Sequence, residues 1–143
     1  MLPIHFLKKR FPNSPDWLIG GLLFIGFFWL IVWPIELYNI FINGEDYFSQ
    51  SNLGFFSKAF YMQGFVISMS WASAVHRAFA AEPIAAFVMT LLSTLISSPG
   101  YFLIGALLAT RKPGVFILGI VLIVVNMVIN CFFLVGLSIL ASG

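Results

Sequence analysis

The sequence predicts an all-α integral membrane protein, and three observations predict it. The 143-residue chain is 61% hydrophobic and only 8% charged, and its mean hydropathy is +1.04. A soluble domain carries about 25% charged residues. A small soluble domain also buries a smaller fraction of its surface than a large one, so it could not hide this much apolar surface from water. The apolar residues also fall into four long segments, and about 20 residues span a bilayer as a helix. Four spans would therefore use almost the whole chain.

The first span is predicted over residues 17–38. The Asn-Ser-Pro-Asp run at residues 13–16 is typical of a helix start, because Asn or Ser caps the first turn, proline fits it and an acid complements the helix dipole. Trp17 and Trp33 suit the two aromatic belts of a bilayer. Pro34 lies inside this span and predicts a kink.

The basic run Lys8-Lys9-Arg10 stands just before the first span. Positively charged flanks stay in the cytoplasm, so the run favours a cytoplasmic N-terminus. A lipid-binding polybasic cluster has about 4–8 cations, and we therefore interpret this shorter run as a topogenic signal. We expect an uncleaved anchor in a bacterial inner membrane.

The second segment, residues 59–80, follows a polar stretch at residues 39–57 that we expect to be a connecting loop. Gly64, Ser68 and Ala72 share one helix face at four-residue spacing. Small residues in such a row let membrane helices approach closely, so we expect this face to contact another helix.

The third segment, residues 83–110, carries a further row of small polar residues, Thr90, Thr94 and Ser98. We expect this row to pack against the second segment. Pro99 removes a backbone donor and clashes with the preceding turn, which predicts a kink. Alternatively the segment is re-entrant and turns back at this proline, which is allowed only where protein or a water cavity covers the backbone.

The fourth segment, residues 115–140, is apolar apart from a few polar side chains. Two of them, Asn126 and Asn130, lie one helical turn apart near the centre of the segment. Buried amides hydrogen-bond between membrane helices for about 1 kcal/mol or less each, so we expect both to hold a partner helix in register.

Two signals disagree on the number of spans. Four spans place four Lys/Arg inside and three outside, whereas three spans with an interfacial second segment improve the ratio to five against two. Hydropathy and the rows of small residues favour four. We predict four transmembrane helices with a kinked third helix, and three spans plus an interfacial helix and the re-entrant layout stay as alternatives.

Charged residues cluster at the expected interfaces. His76, Arg77 and Glu82 form the densest cluster, and we expect Arg77 to snorkel and Glu82 to open the next helix. Glu36 stands near the end of the first span, where we expect a solvated carboxylate. Cys131 is the single cysteine and forms no intramolecular disulfide.

These features predict a non-catalytic membrane subunit. The sequence has no nucleophile elbow or phosphate loop and too few Cys and His for a structural zinc site, so we expect no catalytic residue, cofactor or metal. A net charge of +2 without a basic patch argues against nucleic acid. We expect the lipid bilayer and other membrane subunits, or further copies of this chain, as partners in a secretion, respiratory or transport complex. The alternative is a small homo-oligomeric channel or transporter with a polar path along the third and fourth segments.

Overall fold

The computed structural model describes residues 2–44, 52–110 and 112–142. The regular elements in these ranges are helices, which confirms the all-α prediction for this part of the chain. In chain order they are α1 (Leu2–Arg10), α2 (Asp16–Phe41), α3 (Asn52–Ser68), a 3-10 turn (Met69–Trp71), α4 (Ala72–Ala78), α5 (Glu82–Ala109) and α6 (Pro113–Ser142).

Within the described residues, three helices are long and apolar enough to cross a membrane. They are α2 with 26 residues, α5 with 28 residues and the 24-residue part of α6 at Pro113–Gly136. A span of the hydrocarbon core takes about 20 residues. These helices make the chain an integral membrane protein.

The ends of α2 follow from local chemistry. The amides of Leu18 and Ile19 donate to the Pro15 carbonyl at 3.1 and 3.3 Å, so the proline lies just ahead of the first turn. Proline suits this position because it has no amide hydrogen that would be left unpaired there. At the other end the amides of Ile42 and Asn43 both donate to the Tyr38 carbonyl, at 3.0 and 3.1 Å. Gly44 follows with a φ of 65°, a left-handed conformation that glycine adopts without steric cost.

The polar stretch predicted as a loop over residues 39–57 is helical at both of its described ends. α2 continues to Phe41, and α3 already begins at Asn52. The reason lies in packing, because Asn39 and Ile40 are only 2% and 3% exposed and extend the buried face of α2 by a further turn.

The second apolar segment is broken into three pieces. α3 ends at Ser68, the 3-10 turn follows, and α4 covers Ala72–Ala78. Inside α3, Tyr61 has non-helical backbone angles of φ −126° and ψ 21°. The row Gly64, Ser68 and Ala72 therefore does not lie on one regular helix.

The third apolar segment is a single helix. α5 passes Pro99 and Gly100 without turning back, so the re-entrant alternative is wrong. A chain that turned there would expose several unpaired backbone groups to lipid, whereas a helix loses one hydrogen bond at proline. Pro34 likewise lies inside the continuous α2.

The described residues fall into two compact units. The first lies within Met1–Phe28 and Ser98–Asn126, and in it Phe28 stacks on Tyr101 with ring centroids 4.1 Å apart. The second lies within Trp29–Ser97 and Met127–Gly143. Its interior is polar for a membrane protein, and the buried polar residues there are Glu36, Asn39, Ser57, Lys58, Ser68, Thr90, Ser93, Thr94 and Asn130.

Candidate functional site

A line of small polar residues joins α3 to α5 inside the second unit. The Ser93 hydroxyl donates to the Met89 carbonyl of its own helix at 2.8 Å. The Ser68 hydroxyl makes the same kind of contact with the Phe65 carbonyl at 2.9 Å. The two hydroxyl oxygens lie 2.8 Å apart, and either of them can donate to the other. Gly64 and Ser97 continue the contact one turn away, and we call Gly64, Ser68, Ser93 and Ser97 the serine seam.

Ser97 explains the break in α3. Its hydroxyl accepts the Gly64 amide hydrogen at 3.2 Å and donates to the Tyr61 carbonyl at 3.4 Å. The side chain thus stands between a carbonyl and an amide that would otherwise belong to the hydrogen-bond ladder of α3. Insertion of a side chain into this ladder is a known cause of helix kinks.

Gly64 lets the two helices come this close. A Cβ at this position would overlap the Ser93 carbonyl and would lie 2.5 Å from the Ser97 hydroxyl oxygen. Backbone contact of this kind is how small residues pack membrane helices. The seam is therefore a tight, hydrogen-bonded joint between α3 and α5.

Glu36 lies buried on α2, and this corrects the expectation of a solvated carboxylate. It is 4% exposed and accepts a hydrogen bond from the Ser57 hydroxyl of α3, which is fully buried. Lys58, the next residue, is only 8% exposed. Glu36 is buried because it lies on the inward face of α2. Val32 and Ile40, one turn away on either side, lie on the same face and are also buried.

Three further buried residues of the second unit have polar side-chain atoms without a hydrogen-bond partner among the described residues. Both amide atoms of Asn39, the hydroxyl of Thr90 and the Oδ1 atom of Asn130 have none. These residues are 2%, 0% and 1% exposed. Unpaired polar groups destabilise an apolar interior, so these positions are candidates for a function that stability alone does not explain.

The structure places the other predicted packing residues at separate points. Thr94 donates back to the Thr90 carbonyl at 2.9 Å, and Ser98 is 9% exposed in the first unit. Asn126, also in the first unit, donates to the Tyr101 hydroxyl of α5 at 3.3 Å. Ala72 is half-buried at the start of α4.

The predicted charge cluster is brought together only in part. His76 Nδ1 lies 3.9 Å from Glu82 Oε2 across the connection between α4 and α5. Arg77 instead donates its Nε hydrogen to the Ser73 carbonyl at 3.1 Å and is exposed. Neither contact reaches the serine seam or Glu36. Across residues 2–44, 52–110 and 112–142, no three His, Cys, Asp or Glu side chains come close enough to hold a metal ion.

Comparison with known proteins adds no assignment. The chain matches no family model, no curated protein and no solved structure. The function of this chain is therefore inferred from its geometry alone.

Sequence reasoning missed several residues of this site. Ser93 and Ser97 lie next to the predicted row on α5, and one-turn spacing alone does not show which face of a helix meets its neighbour. Ser57 and Lys58 fall where the stretch interpreted as a loop meets the second segment. A buried partner for Glu36 could have been sought there, since an acid inside a span calls for a polar neighbour.

Proposed function

We propose that the protein is a non-catalytic integral membrane subunit that packs within a larger membrane assembly. The observation that carries the proposal is a pair of exposed glycines well inside two spans, Gly26 on α2 and Gly100 on α5, whose missing side chains face open space. Glycine weakens a helix interior by about 1 kcal/mol relative to alanine. Within this chain neither glycine makes a close helix contact that would offset this loss of helix stability.

The glycines used inside the chain make the contrast clear. A Cβ at Gly20 or Gly105 would meet backbone of the facing helix, and Gly64 is as crowded. Exposed small residues in a membrane helix allow a second backbone to approach. Only 11% of the most apolar part of α6 is buried by the chain itself, which leaves further surface for partner helices or lipid.

Replacement of both exposed glycines by leucine tests this proposal. We expect Gly26→Leu/Gly100→Leu to keep its fold in detergent and to be more stable than wild type, because leucine favours a helix. After extraction from the native membrane in mild detergent, the wild type should run as a complex on size exclusion and the variant as the free chain. A wild type that runs alone, or a variant that keeps the whole complex, contradicts the proposal.

A solute path is the second candidate function. It is favoured by Thr90 and Asn130, which are buried polar residues on α5 and α6 with atoms that no described residue satisfies. Hydrogen-bonding groups of this kind line polar routes through membranes. Ion flux into liposomes that is lost in Asn130→Leu but kept in Cys131→Ala, an exposed neighbour, would favour it. Absence of flux in the wild type would remove it.

We further propose that α3, the 3-10 turn and α4 together form a fourth crossing, and that the N-terminus is cytoplasmic in a bacterial inner membrane. Tight packing of α3 on α5 at the serine seam supports this layout over an interfacial second segment. A reporter fused after Gly143 should then be cytoplasmic. A reporter on the outer side would favour three spans.

A further inference from the structure

The N-terminal helix α1 ends in the basic run and stands beside the entry of α2 into the membrane. Lys8 forms an ion pair with Asp16, the first residue of α2. The five residues between the two helices already limit their separation to roughly 20 Å, and the ion pair draws the last turn of α1 to the start of the span. Trp17, at the same level, is 48% exposed and suits the headgroup region.

The two remaining cations of α1 are free of such a contact in the described structure. Lys9 and Arg10 are exposed. Phe6, one turn earlier, is 71% exposed, and Phe11 just beyond the helix is 55% exposed. Because positions three and four residues apart share a helix face, Phe6 lies on the same side as both cations.

From this arrangement we propose that α1 lies in the membrane interface and binds the headgroups of anionic phospholipids through Lys9 and Arg10. Phe6 and Phe11 enter the layer below the headgroups, while the long basic side chains extend from the apolar layer to the phosphates. The positive charge of α1 and its direct connection to the span α2 both indicate that its binding partner is an anionic membrane leaflet.

The small number of charges is sufficient because α2 already holds α1 at the membrane. A soluble peptide needs about 4–8 cations because it must first be recruited from water. A tethered segment binds with a high effective concentration, so weak contacts are populated. The binding is independent of the proposed role in assembly, since it involves neither exposed glycine.

Amide hydrogen exchange of the full-length protein in lipid nanodiscs tests the proposal. We expect exchange at residues 6–11 to be slower in discs that contain phosphatidylglycerol than in discs of phosphatidylcholine alone. Each cation near an anionic surface changes the docking equilibrium about fivefold, so Lys9→Gln/Arg10→Gln should lose up to roughly 25-fold of this protection. High salt, which shortens the Debye length to about 3 Å at 1 M, should also remove it.

A matched control removes two exposed cations elsewhere. Arg77→Gln/Lys112→Gln lowers the net charge by the same amount but leaves α1 intact, so it should keep the slower exchange. Circular dichroism shows that each variant is folded. Equal exchange of wild-type α1 in both kinds of disc overturns the proposal. So does an equal loss in the two double variants, which would mean that net charge alone attracts the lipid.

Discussion

The contact between α3 and α5 at Gly64 gives a quantitative prediction for Gly64→Ala. The new Cβ would lie 2.5 Å from the Ser97 hydroxyl oxygen, whereas ordinary van der Waals contact begins at 3.4 Å. The Ser93 carbonyl, which is backbone, lies closer still and cannot rotate away. The helices must therefore separate by more than about 0.9 Å, which is the shortfall at the Ser97 oxygen alone.

Such a displacement breaks the joint. The Gly64 amide already lies 3.2 Å from Ser97, so added separation takes it out of hydrogen-bond range. Overpacking costs about 1–3 kcal/mol, and each lost interhelical bond about 0.6 kcal/mol. Alanine returns about 0.5–1 kcal/mol through its better helix propensity. We expect a net loss of about 2 kcal/mol in the free energy of unfolding.

The assay is reversible unfolding in mixed micelles, followed by circular dichroism over a series of denaturing detergent concentrations. Gly26→Ala is the matched control, because a Cβ there meets no atom within 4 Å. It should stabilise the chain by about 0.5–1 kcal/mol. A Gly64→Ala protein as stable as this control would refute the reasoning.

Three further substitutions test the polar interior by the same unfolding assay. Ser57→Ala removes the hydroxyl bonded to Glu36 and should cost about 1–3 kcal/mol; an unchanged stability would mean that the bond adds nothing. Asn39→Leu replaces an amide without a partner among the described residues, so the isolated chain should lose less than about 1 kcal/mol or become more stable. Asn126→Leu removes the bond to Tyr101, for which we expect a loss of about 0.6 kcal/mol. A loss above that of Ser57→Ala would contradict this last estimate.

Much of the fold is predictable from the sequence because the bilayer restricts the possible structures. A membrane core accepts helices, and the apolar segments around Trp17 and Val115 are long enough to form them. The start of α2 just before Trp17 and the left-handed glycine at Gly44 also follow from local chemistry, which depends on neighbours in the chain.

The interior of the second unit depends on contacts between distant residues. Nothing local at Tyr61 predicts a break, since no proline or glycine stands there, and the cause is Ser97 on another helix. Glu36 is similar, because its spacing from Trp17 suggests an interface position while its burial depends on which face of α2 meets α3. Periodicity identifies a face but not the residue opposite it.

The inserted hydroxyl of Ser97 has a consequence for biogenesis. Tyr61 leaves the ribosome well before Ser97, and in hydrocarbon its unpaired carbonyl would cost several kcal/mol. In the proposed four-span layout, a nascent α3 without α5 should therefore insert as an unbroken helix with its own backbone hydrogen bonds intact. The break then forms only when α5 packs against α3. The non-helical backbone at Tyr61 is therefore a property of the packed helix pair and indicates that the two helices have docked correctly.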